Sequence, residues 1–486
     1  MLCTPHIIIS HPANEAAKQC ECACPGDEGE CHWTAEAPLN CLWERAAWLY
    51  SSDLGSDYSV AFNPFGEGHV AALNGAARQL LAHFETPRPL DAVSADQPEA
   101  RSALNQLITL GFLVPQGRGQ PQLTVRPSAL SVWLHVTNAC NLRCDYCYLT
   151  KTEEAMTADT ARQAIEAICR SAIRHGFKSL NLKYAGGEAT LNLPLVRLLH
   201  AYARDASQAH ALGLSETVLS NGVALSGPTL EFLRDEGIGL MISLDGVGEA
   251  HDAQRRFVNG RGSFQWVARS IDRAVALGLK PSLSITVSAR NADRLADAVA
   301  FALDRDLRFN LNFFRENDCA SAFADLAVSN QRLINGMRAA FRVIEDRLPA
   351  QRLMDGLVDL SSFRRPHEQT CGAGHSYMVV DQRGGVAQCQ MEIERPITSV
   401  WADDPLGELR HASTGFRNLR VTEKEGCRDC PWRFWCAGGC PLLTYRATGR
   451  NDIKSPYCDV YKALYPDVIR LEGLRMLKWQ TVGLAA

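Results

Sequence analysis

The sequence predicts an α/β fold built on a partial, TIM-like barrel of six β–α units, (β/α)6, and three observations carry that reading. Between Ser131 and Phe314, extended apolar stretches alternate six times with amphipathic helical ones. Repeated β–α units imply a parallel sheet with crossover helices, and curving that sheet gives a barrel. Cys140, Gly186-Gly187-Glu188, Ser220-Asn221-Gly222 and Asp245-Gly246 follow the first four strands in turn, on the loops where such barrels collect their chemistry. Cys371 to Cys458 holds seven cysteines and few long periodic segments, so that region is organised by metal rather than by a large apolar core.

Taken in order, residues 1–45 hold six cysteines (Cys3, Cys20, Cys22, Cys24, Cys31, Cys41) among Glu, Gly, Pro and Ala, without periodicity. They read either as a metal-binding tail or as a poorly ordered extension and receive no function. Residues 46–125 form a separate unit. Short β-like stretches at Tyr58–Asn63 and His69–Leu73 precede an amphipathic helix over Asn74–Phe84. A second helix over Pro98–Leu110 stops at Gly111, and Phe112–Val114 reads as a closing strand. That order is the grammar of a small winged helix. The barrel occupies 128–345. Its strands are expected at Val132–Thr137, Ser179–Tyr184, Glu216–Ser220, Gly239–Leu244, Ser282–Val287 and Arg308–Phe313. The helices between them are expected at Ala158–Ile173, Leu195–Leu212, Pro228–Glu236, Phe264–Leu277 and Asp293–Leu303. A mainly helical connection runs to about Arg365, and 366–470 is the Cys-rich C-terminal domain.

At 486 residues the chain is too long for one ordinary core, so several domains are expected. A 46% hydrophobic content beside 21% charged residues describes a soluble globular protein. A formal charge of −4, with Arg-rich stretches interrupted by acids, gives no case for nucleic acid as a partner. No apolar run is long enough to span a bilayer, so no membrane partner is expected. The start, M-L-C-T-P-H-I-I-I-S-H-P, lacks the basic flank and apolar core of a signal peptide. Eighteen cysteines in a large chain without an export signal point to metal binding in a reducing cytoplasm rather than to disulfides.

The densest chemistry lies in T-N-A-C-N-L-R-C-D-Y-C-Y, where Cys140, Cys144 and Cys147 follow the first barrel strand. Thiolates at this spacing can each cap a different iron of one iron–sulfur cube, which leaves the fourth iron open to something other than protein. An electron delivered to a ligand on that iron starts one-electron chemistry that side chains alone cannot perform. Zinc in a structural site takes four protein ligands, and three close cysteines with no nearby fourth suit it poorly.

With these motifs in place, the chain resembles the radical S-adenosylmethionine (SAM) enzymes over roughly residues 128–460. The resemblance implies that Cys140, Cys144 and Cys147 hold a [4Fe-4S] cluster whose open iron is chelated by SAM. Its reductive cleavage gives a 5′-deoxyadenosyl radical that abstracts hydrogen. Tyr146 is then expected near adenine, and Gly186, Gly187 and Glu188 form the family's Gly-Gly-Glu loop at the methionyl amine. Ser243 and Arg255 match the ribose and carboxylate contacts. Each has a plainer reading: a turn for the glycines, a common strand end for S-L-D-G, a solvated side chain for Arg255 beside Arg256.

The C-terminal order of Cys371, then Gly384 with four residues between it and Cys389, then C-x2-C-x5-C-x3-C through Cys427, Cys430, Cys436 and Cys440, and finally Cys458, resembles the SPASM domain. That appendage of radical SAM enzymes carries two auxiliary iron–sulfur clusters, which the resemblance implies are of the [4Fe-4S] type. It implies an outer cluster on Cys427, Cys430, Cys436 and Cys458 and an inner one on Cys371, Cys389 and Cys440. Some relatives add a fourth inner ligand six residues after the first. Here that position is Tyr377, which leaves an open iron, a smaller core, or another ligand such as Cys319. A pair of zinc knuckles is the generic alternative, and Cys169, on a helix, reads as packing.

The segment L-N-G-A-A-R-Q-L-L, followed by L-x-x-L-x-x-L-G-F-L-V, resembles the peptide-binding winged helix of ribosomal-peptide pathways, which takes up a leader peptide as an added strand. The expected function is therefore maturation of a ribosomally made precursor peptide, installing a thioether, carbon–carbon or carbon–oxygen cross-link. The expected partners are that peptide with its leader and a reductant such as flavodoxin or ferredoxin. Sulfatase-maturating relatives carry Asp after the Cys matching Cys389. Gln390 stands there, neither acid nor base. Cross-linking of a folded partner such as an amine dehydrogenase subunit is the second enzymatic reading, and a non-catalytic zinc-dependent interaction protein is a third of another class. Glu316, after the sixth strand, is the one candidate base, with an ion pair to Arg315 as its structural alternative.

Overall fold

The first strand comes from the segment that patterning left unassigned. The computed structural model describes residues 4–10, 41–94, 98–117, 123 and 127–483, so Cys3, Cys20, Cys22, Cys24 and Cys31 lie outside the described residues. Within it, β1 (Ile7–Ser10), β2 (Trp43–Arg45), β3 (Tyr50–Gly55), β4 (Tyr58–Phe62) and β5 (Val70–Asn74) lead into α1 (Gly75–Ala82), α2 (Asp91–Ser94), α3 (Pro98–Thr109) and β6 (Leu113–Pro115). Four strands form an antiparallel sheet in the order β1-β5-β4-β3, while β2 pairs with β6. The expected strands and helices at 58–114 are therefore present, and the unit also recruits β1, β2 and β3 from outside the expected set. Asn74 explains part of this. Its side chain caps α1 by accepting from Ala77 N at 2.9 Å, accepts from His6 N at 3.0 Å and donates to the Thr4 carbonyl at 2.9 Å.

Strand alternation makes this sheet a sandwich filling. Ala61, Ala71 and Leu73 face α1 and α3, whereas Val60, Phe62, Val70 and Ala72 join the main core on the other face. That second face is covered from the far end of the chain, by the last helix.

The barrel follows as β7 (Ala129–Thr137), α4 (Ala158–Arg174), β8 (Ser179–Gly186), α5 (Leu193–Ala209), β9 (Gly213–Ser220), α6 (Gly227–Asp235), β10 (Gly239–Ser243), α7 (Glu249–Asp252), α8 (Phe264–Ala276), β11 (Ser282–Val287), α9 (Leu295–Leu303) and β12 (Phe309–Phe313). All six strands are parallel and each pairs with its sequence neighbour. The strands carry apolar residues on both faces, as a sheet covered on both sides requires, and all nine residues of β7 are buried. Helix starts are set locally: Thr157 accepts from Thr160 N ahead of α4, and Ser226 from Thr229 N ahead of α6.

After α10 (Asn330–Arg347), the C-terminal region adds β13 (Tyr377–Val380), β14 (Gly385–Ala387), β15 (Thr398–Ser399), α11 (Pro405–His411), α12 (Arg433–Cys436), α13 (Pro441–Thr448) and α14 (Cys458–Gly483). Here the structure departs from a region organised by cysteines alone. β13 pairs in parallel with β7, and β14 and β15 extend it antiparallel, so one nine-stranded sheet runs β12-β11-β10-β9-β8-β7-β13-β14-β15. With β13 on the outer side of β7, the barrel does not close onto β12. No described helix is long and apolar enough to cross a membrane.

Candidate active site

Cys140, Cys144 and Cys147 lie on the loop after β7, half-buried as residues. Leu142 N donates to the Cys140 sulfur at 3.4 Å and Lys151 Nζ to the Cys147 sulfur at 2.9 Å. Burial pushes the Cys144 thiol up to about 12; Arg255 opposes this, and the charges of Cys147 and Cys140 add to it. The three sulfurs thus share one electrostatic neighbourhood. Donors aimed at sulfur favour the thiolate a cluster needs. Among the described residues, no three His, Cys, Asp or Glu side chains converge on a point that suits a single metal ion. A tetrahedral zinc site would draw its sulfurs to within about 4 Å of one another, given bonds near 2.3 Å. The donor set fits a larger polyatomic group better.

The Gly-Gly-Glu loop ends β8 and braces this cysteine loop. A Cβ at Gly186 would stand 2.4 Å from the Thr137 carbonyl, and one at Gly187 2.4 Å from that of Ala139. Gly187 N and Glu188 N donate to those same carbonyls at 2.7 and 2.9 Å. Glu188 is 2% exposed. Its carboxylate accepts from Thr190 N (3.2 Å), Thr190 Oγ1 (2.6 Å), Ser220 Oγ (2.9 Å) and Asn221 N (2.6 Å). These four donors fill a carboxylate's usual acceptor sites. The side chain therefore ties the loops after β8 and β9 together, a role the motif did not disclose. Asn221 continues the tie, donating to Asn141 Oδ1 at 2.7 Å and approaching the Cys140 sulfur at 3.8 Å.

Tyr146 and Arg255, 109 residues apart, meet in a buried cluster. The Tyr146 hydroxyl donates to Asp245 Oδ2 at 2.7 Å and accepts from Arg255 Nη1, whose guanidinium lies 3.7 Å from Asp245. Arg255 is 5% exposed and its Nε has no partner among the described residues, so it is not a solvated neighbour of Arg256. Asp245, which the sequence marked only as part of a strand end, anchors the group: Thr286 N donates to Oδ1 at 2.8 Å and Asn291 Nδ2 to its carbonyl at 2.6 Å. Burial raises the Asp245 carboxyl and Arg255 opposes that. Ser243, half-buried at the end of β10, lies in register with Ser284 of β11. An unpartnered guanidinium nitrogen and a hydroxyl-bearing strand end beside the cysteine loop suit a polar, carboxylate-bearing cofactor.

The C-terminal cysteines gather in two groups. Burial raises Cys371 to about 11 and Cys389 to about 12, and the Cys440 charge adds to both. Cys436 is likewise pushed up to about 12 by burial, with Cys427, Cys430 and Cys458 adding to it. The second group encloses a small cavity lined by all four of its cysteines. The first opens into a cavity of about 190 Å³ that reaches Tyr146 and Asn317 on the barrel side and Cys371, Cys389 and Cys440 on the other. Tyr377 lines it, wholly buried, its hydroxyl donating to Gln390 Oε1 at 3.0 Å. Leu443 N donates to the Cys440 sulfur at 3.4 Å, and Asn418 Nδ2 approaches that of Cys371 at 3.8 Å.

Glu316 does not meet its expectation in either form. It is exposed and does not line the cavity, although its neighbours Arg315 and Asn317 both do. Arg315 turns inward instead and pairs with Asp359, Nη2 to Oδ1 and Oδ2 at 2.9 and 2.6 Å, inside the cavity wall. Cys319 is exposed, with its sulfur 3.5 Å from the Tyr148 carbonyl, and does not line the cavity. Cys169 is buried in the main core, as packing predicts.

Sheet topology, loop placement and the cysteine loop agree with what the sequence comparison finds: residues 134–301 match the Radical SAM superfamily, so the chain carries a radical SAM domain. The chain is similar to a PqqA peptide cyclase of Xanthomonas axonopodis pv. citri (strain 306), 25% identical over 347 residues that cover 69% of this chain and 89% of the relative. It is also similar to the sporulation killing factor maturation protein SkfB of Bacillus subtilis (strain 168), 27% identical over 58% of this chain and 62% of SkfB. Among solved structures, anSMEcpe with bound AdoMet and Cp18Cys peptide superposes with a TM-score of 0.59 at 19% identity, covering 71% of this chain and 99% of that one. This similarity shows the shared fold.

Proposed function

We propose that this enzyme matures a ribosomally made precursor peptide, installing a cross-link of the thioether, carbon–carbon or carbon–oxygen type. The observation that carries the reading is the cavity running from Tyr146 to Cys371, Cys389 and Cys440. It supports a substrate residue held between two metal-binding regions, and similarity to a PqqA peptide cyclase and to SkfB supports a peptide as the substrate. In this reading Cys140, Cys144 and Cys147 hold a [4Fe-4S] cluster, and Tyr146, Gly186, Gly187, Glu188, Ser243 and Arg255 form the SAM pocket. A SPASM-type domain carries auxiliary clusters on Cys371, Cys389 and Cys440 and on Cys427, Cys430, Cys436 and Cys458. When bound, the first cluster and SAM supply a 5′-deoxyadenosyl radical for hydrogen abstraction.

The residues of the chain do the rest. Glu188 and Asn221 fix the cysteine loop against β9. Asp245 holds Tyr146 and Arg255 together, the pair that would contact the cofactor. Tyr148, Phe313, Phe314, Phe416 and Leu442 give the cavity an aromatic and aliphatic wall that keeps water from a reactive intermediate. The N-terminal unit, a winged-helix-like sheet with β3 at one edge, takes up the leader as an added strand. A flavodoxin or ferredoxin supplies electrons, in a cytoplasm that keeps the thiols reduced.

The test is substitution of Cys140, Cys144 and Cys147 together by Ala. Iron is expected to fall by about four atoms per chain, the content of one cubane, with SAM cleavage abolished. Co-expression of the unaltered enzyme with a short open reading frame beside its gene, followed by mass spectrometry, should reveal a peptide lighter by two hydrogens per cross-link. SAM cleavage that survives the triple substitution would overturn the assignment.

A further inference from the structure

One five-residue link, Cys436-Ala437-Gly438-Gly439-Cys440, joins the two C-terminal cysteine groups, with its first residue in the outer and its last in the inner group. Ala437, Gly438 and Gly439 all take positive φ (43°, 82° and 71°), the conformation that lets the chain turn this sharply. Two side chains shape the turn. A Cβ at Gly438 would stand 2.9 Å from Lys424 Nζ, and one at Gly439 3.1 Å from the ring of Tyr461.

Lys424 is 2% exposed, and its Nζ donates to the Ala437 carbonyl at 2.9 Å. Burial pulls its ammonium below the usual lysine range, and the charges of Cys427 and Cys436 of the outer group and of Cys371 and Cys440 of the inner one oppose that. A buried cation is kept only where nearby negative charge offsets its desolvation. Tyr461 is equally buried and lines the outer cavity beside all four outer cysteines, and its hydroxyl has no partner among the described residues. A buried hydroxyl left without an acceptor costs about 1–3 kcal/mol, and sulfurs share its cavity.

We propose that Lys424 and Tyr461 are positioning residues that set the reduction potentials of the auxiliary clusters. Lys424 places a positive charge between the two clusters and raises both potentials. The Tyr461 hydroxyl donates to a sulfur of the outer cluster and raises that one alone. The inference rests on reading the two cysteine groups as iron–sulfur sites. Each electron added makes a cluster more negative, so a nearby cation or donor favours its reduced form. Both auxiliary sites thereby become better acceptors for the electron left once the cross-link is made.

The test is a potentiometric titration followed by electron paramagnetic resonance in the Cys140, Cys144 and Cys147→Ala background, where only the auxiliary signals remain. Lys424→Met is expected to lower both potentials, with the equilibrium for reduction falling about tenfold, 59 mV for a one-electron couple. Lys424→Arg should restore them. If methionine is not accommodated, Lys424→Gln removes the charge while keeping a donor for the Ala437 carbonyl. Tyr461→Phe should lower only the outer potential, by a smaller amount. Unchanged potentials in Lys424→Met or Lys424→Gln, and in Tyr461→Phe, with iron and sulfide at parent levels, would overturn the proposal and leave both side chains as packing. A parent protein that holds no iron in the triad-substituted background would instead overturn the cluster reading on which the proposal rests.

Discussion

Glu188 shows how much one side chain can carry. All four of its donors come from the protein, so Glu188→Gln would set an amide NH2 against one of the Ser220 or Asn221 donors. Losing charge-assisted hydrogen bonds in a buried site should cost about 2–3 kcal/mol. A lower thermal midpoint of the metal-free protein, together with weakened SAM binding by calorimetry, is the expected outcome. Tyr377 offers a gain-of-ligand experiment. Its hydroxyl sits beside Gln390 on the cavity wall shared with Cys371, Cys389 and Cys440. Tyr377→Cys should close the inner site, shift its paramagnetic resonance spectrum and slow peptide modification while SAM binding persists. A fully active variant whose spectrum matches the parent would rule out substrate access to an inner iron. Part of the pH dependence belongs to two buried histidines, in addition to His251 and His375, which burial shifts in the same direction. Burial lowers His135 and His367 from 6.5 to about 4. Because their folded values lie below the unfolded one, the stability they support is complete above about pH 6.5 and is lost as pH falls towards 4. Each group contributes roughly 3 kcal/mol across that window. Replacing both by Asn should flatten the fall in thermal midpoint of the metal-free protein between pH 6.5 and 4.5; a parallel fall in parent and variant would assign it to other groups.

The β–α units were the most legible elements. Ser282–Val287 is found as expected, and the helix starts at Ala158 and Phe264 match because a 3.6-residue apolar period marks both, with a Thr157 cap at the first and Asp252 accepting from Phe264 N at the second. What escaped notice depends on distant partners. β1 and β2 are short, and each exists only because β5 or β6 offers an edge. β13 reads as four apolar residues in a Cys-rich region, and pairing with β7 across more than 240 positions makes it a barrel-sheet strand. The same limit applies to the site. Cys140, Cys144 and Cys147 are close in sequence and were plain from spacing, whereas the Arg315–Asp359 pair and the Asp245 anchor join segments with no shared local pattern. Lys151 alone had a signal that was passed over, four residues after Cys147 and so able to reach its sulfur. A β-breaking change tests the element reading: Val379→Pro removes a ladder donor from a strand that lies between β7 and β14. It should cost about 3 kcal/mol or more and disturb both metal regions together, visible as lost iron.

The molecule as a whole resists the separation into recognition and chemistry that its sequence organisation suggests. Phe62 of the N-terminal sheet meets Trp435 at 5.0 Å between ring centroids, Tyr50 meets Trp432 at 5.9 Å, and Trp435 Nε1 donates to the Pro64 carbonyl at 2.8 Å. Both tryptophans lie between Cys430 and Cys436. Ser10 bonds Glu472 of α14, and a Cβ at Gly473 would stand 2.8 Å from Leu54. Each fully buried aromatic contributes about 1.5–3 kcal/mol. Deleting residues 1–125 is therefore expected to remove peptide recognition and also iron from the outer cysteines, read by iron counting. A truncated protein with full auxiliary iron would show the two halves to be independent. The cover that α14 gives the N-terminal sheet also has a consequence in time. β5 leaves the ribosome roughly 400 residues before the end of α14, and at about 5–20 residues per second that interval is roughly 20–80 s. Throughout it, the apolar face bearing Val60, Phe62, Val70 and Ala72 has no α14 to meet. A nascent chain of this design depends on holding its first-made sheet apart from its neighbours until its last-made helix arrives, so premature stop codons near residue 450 should yield aggregates seeded by the N-terminal end.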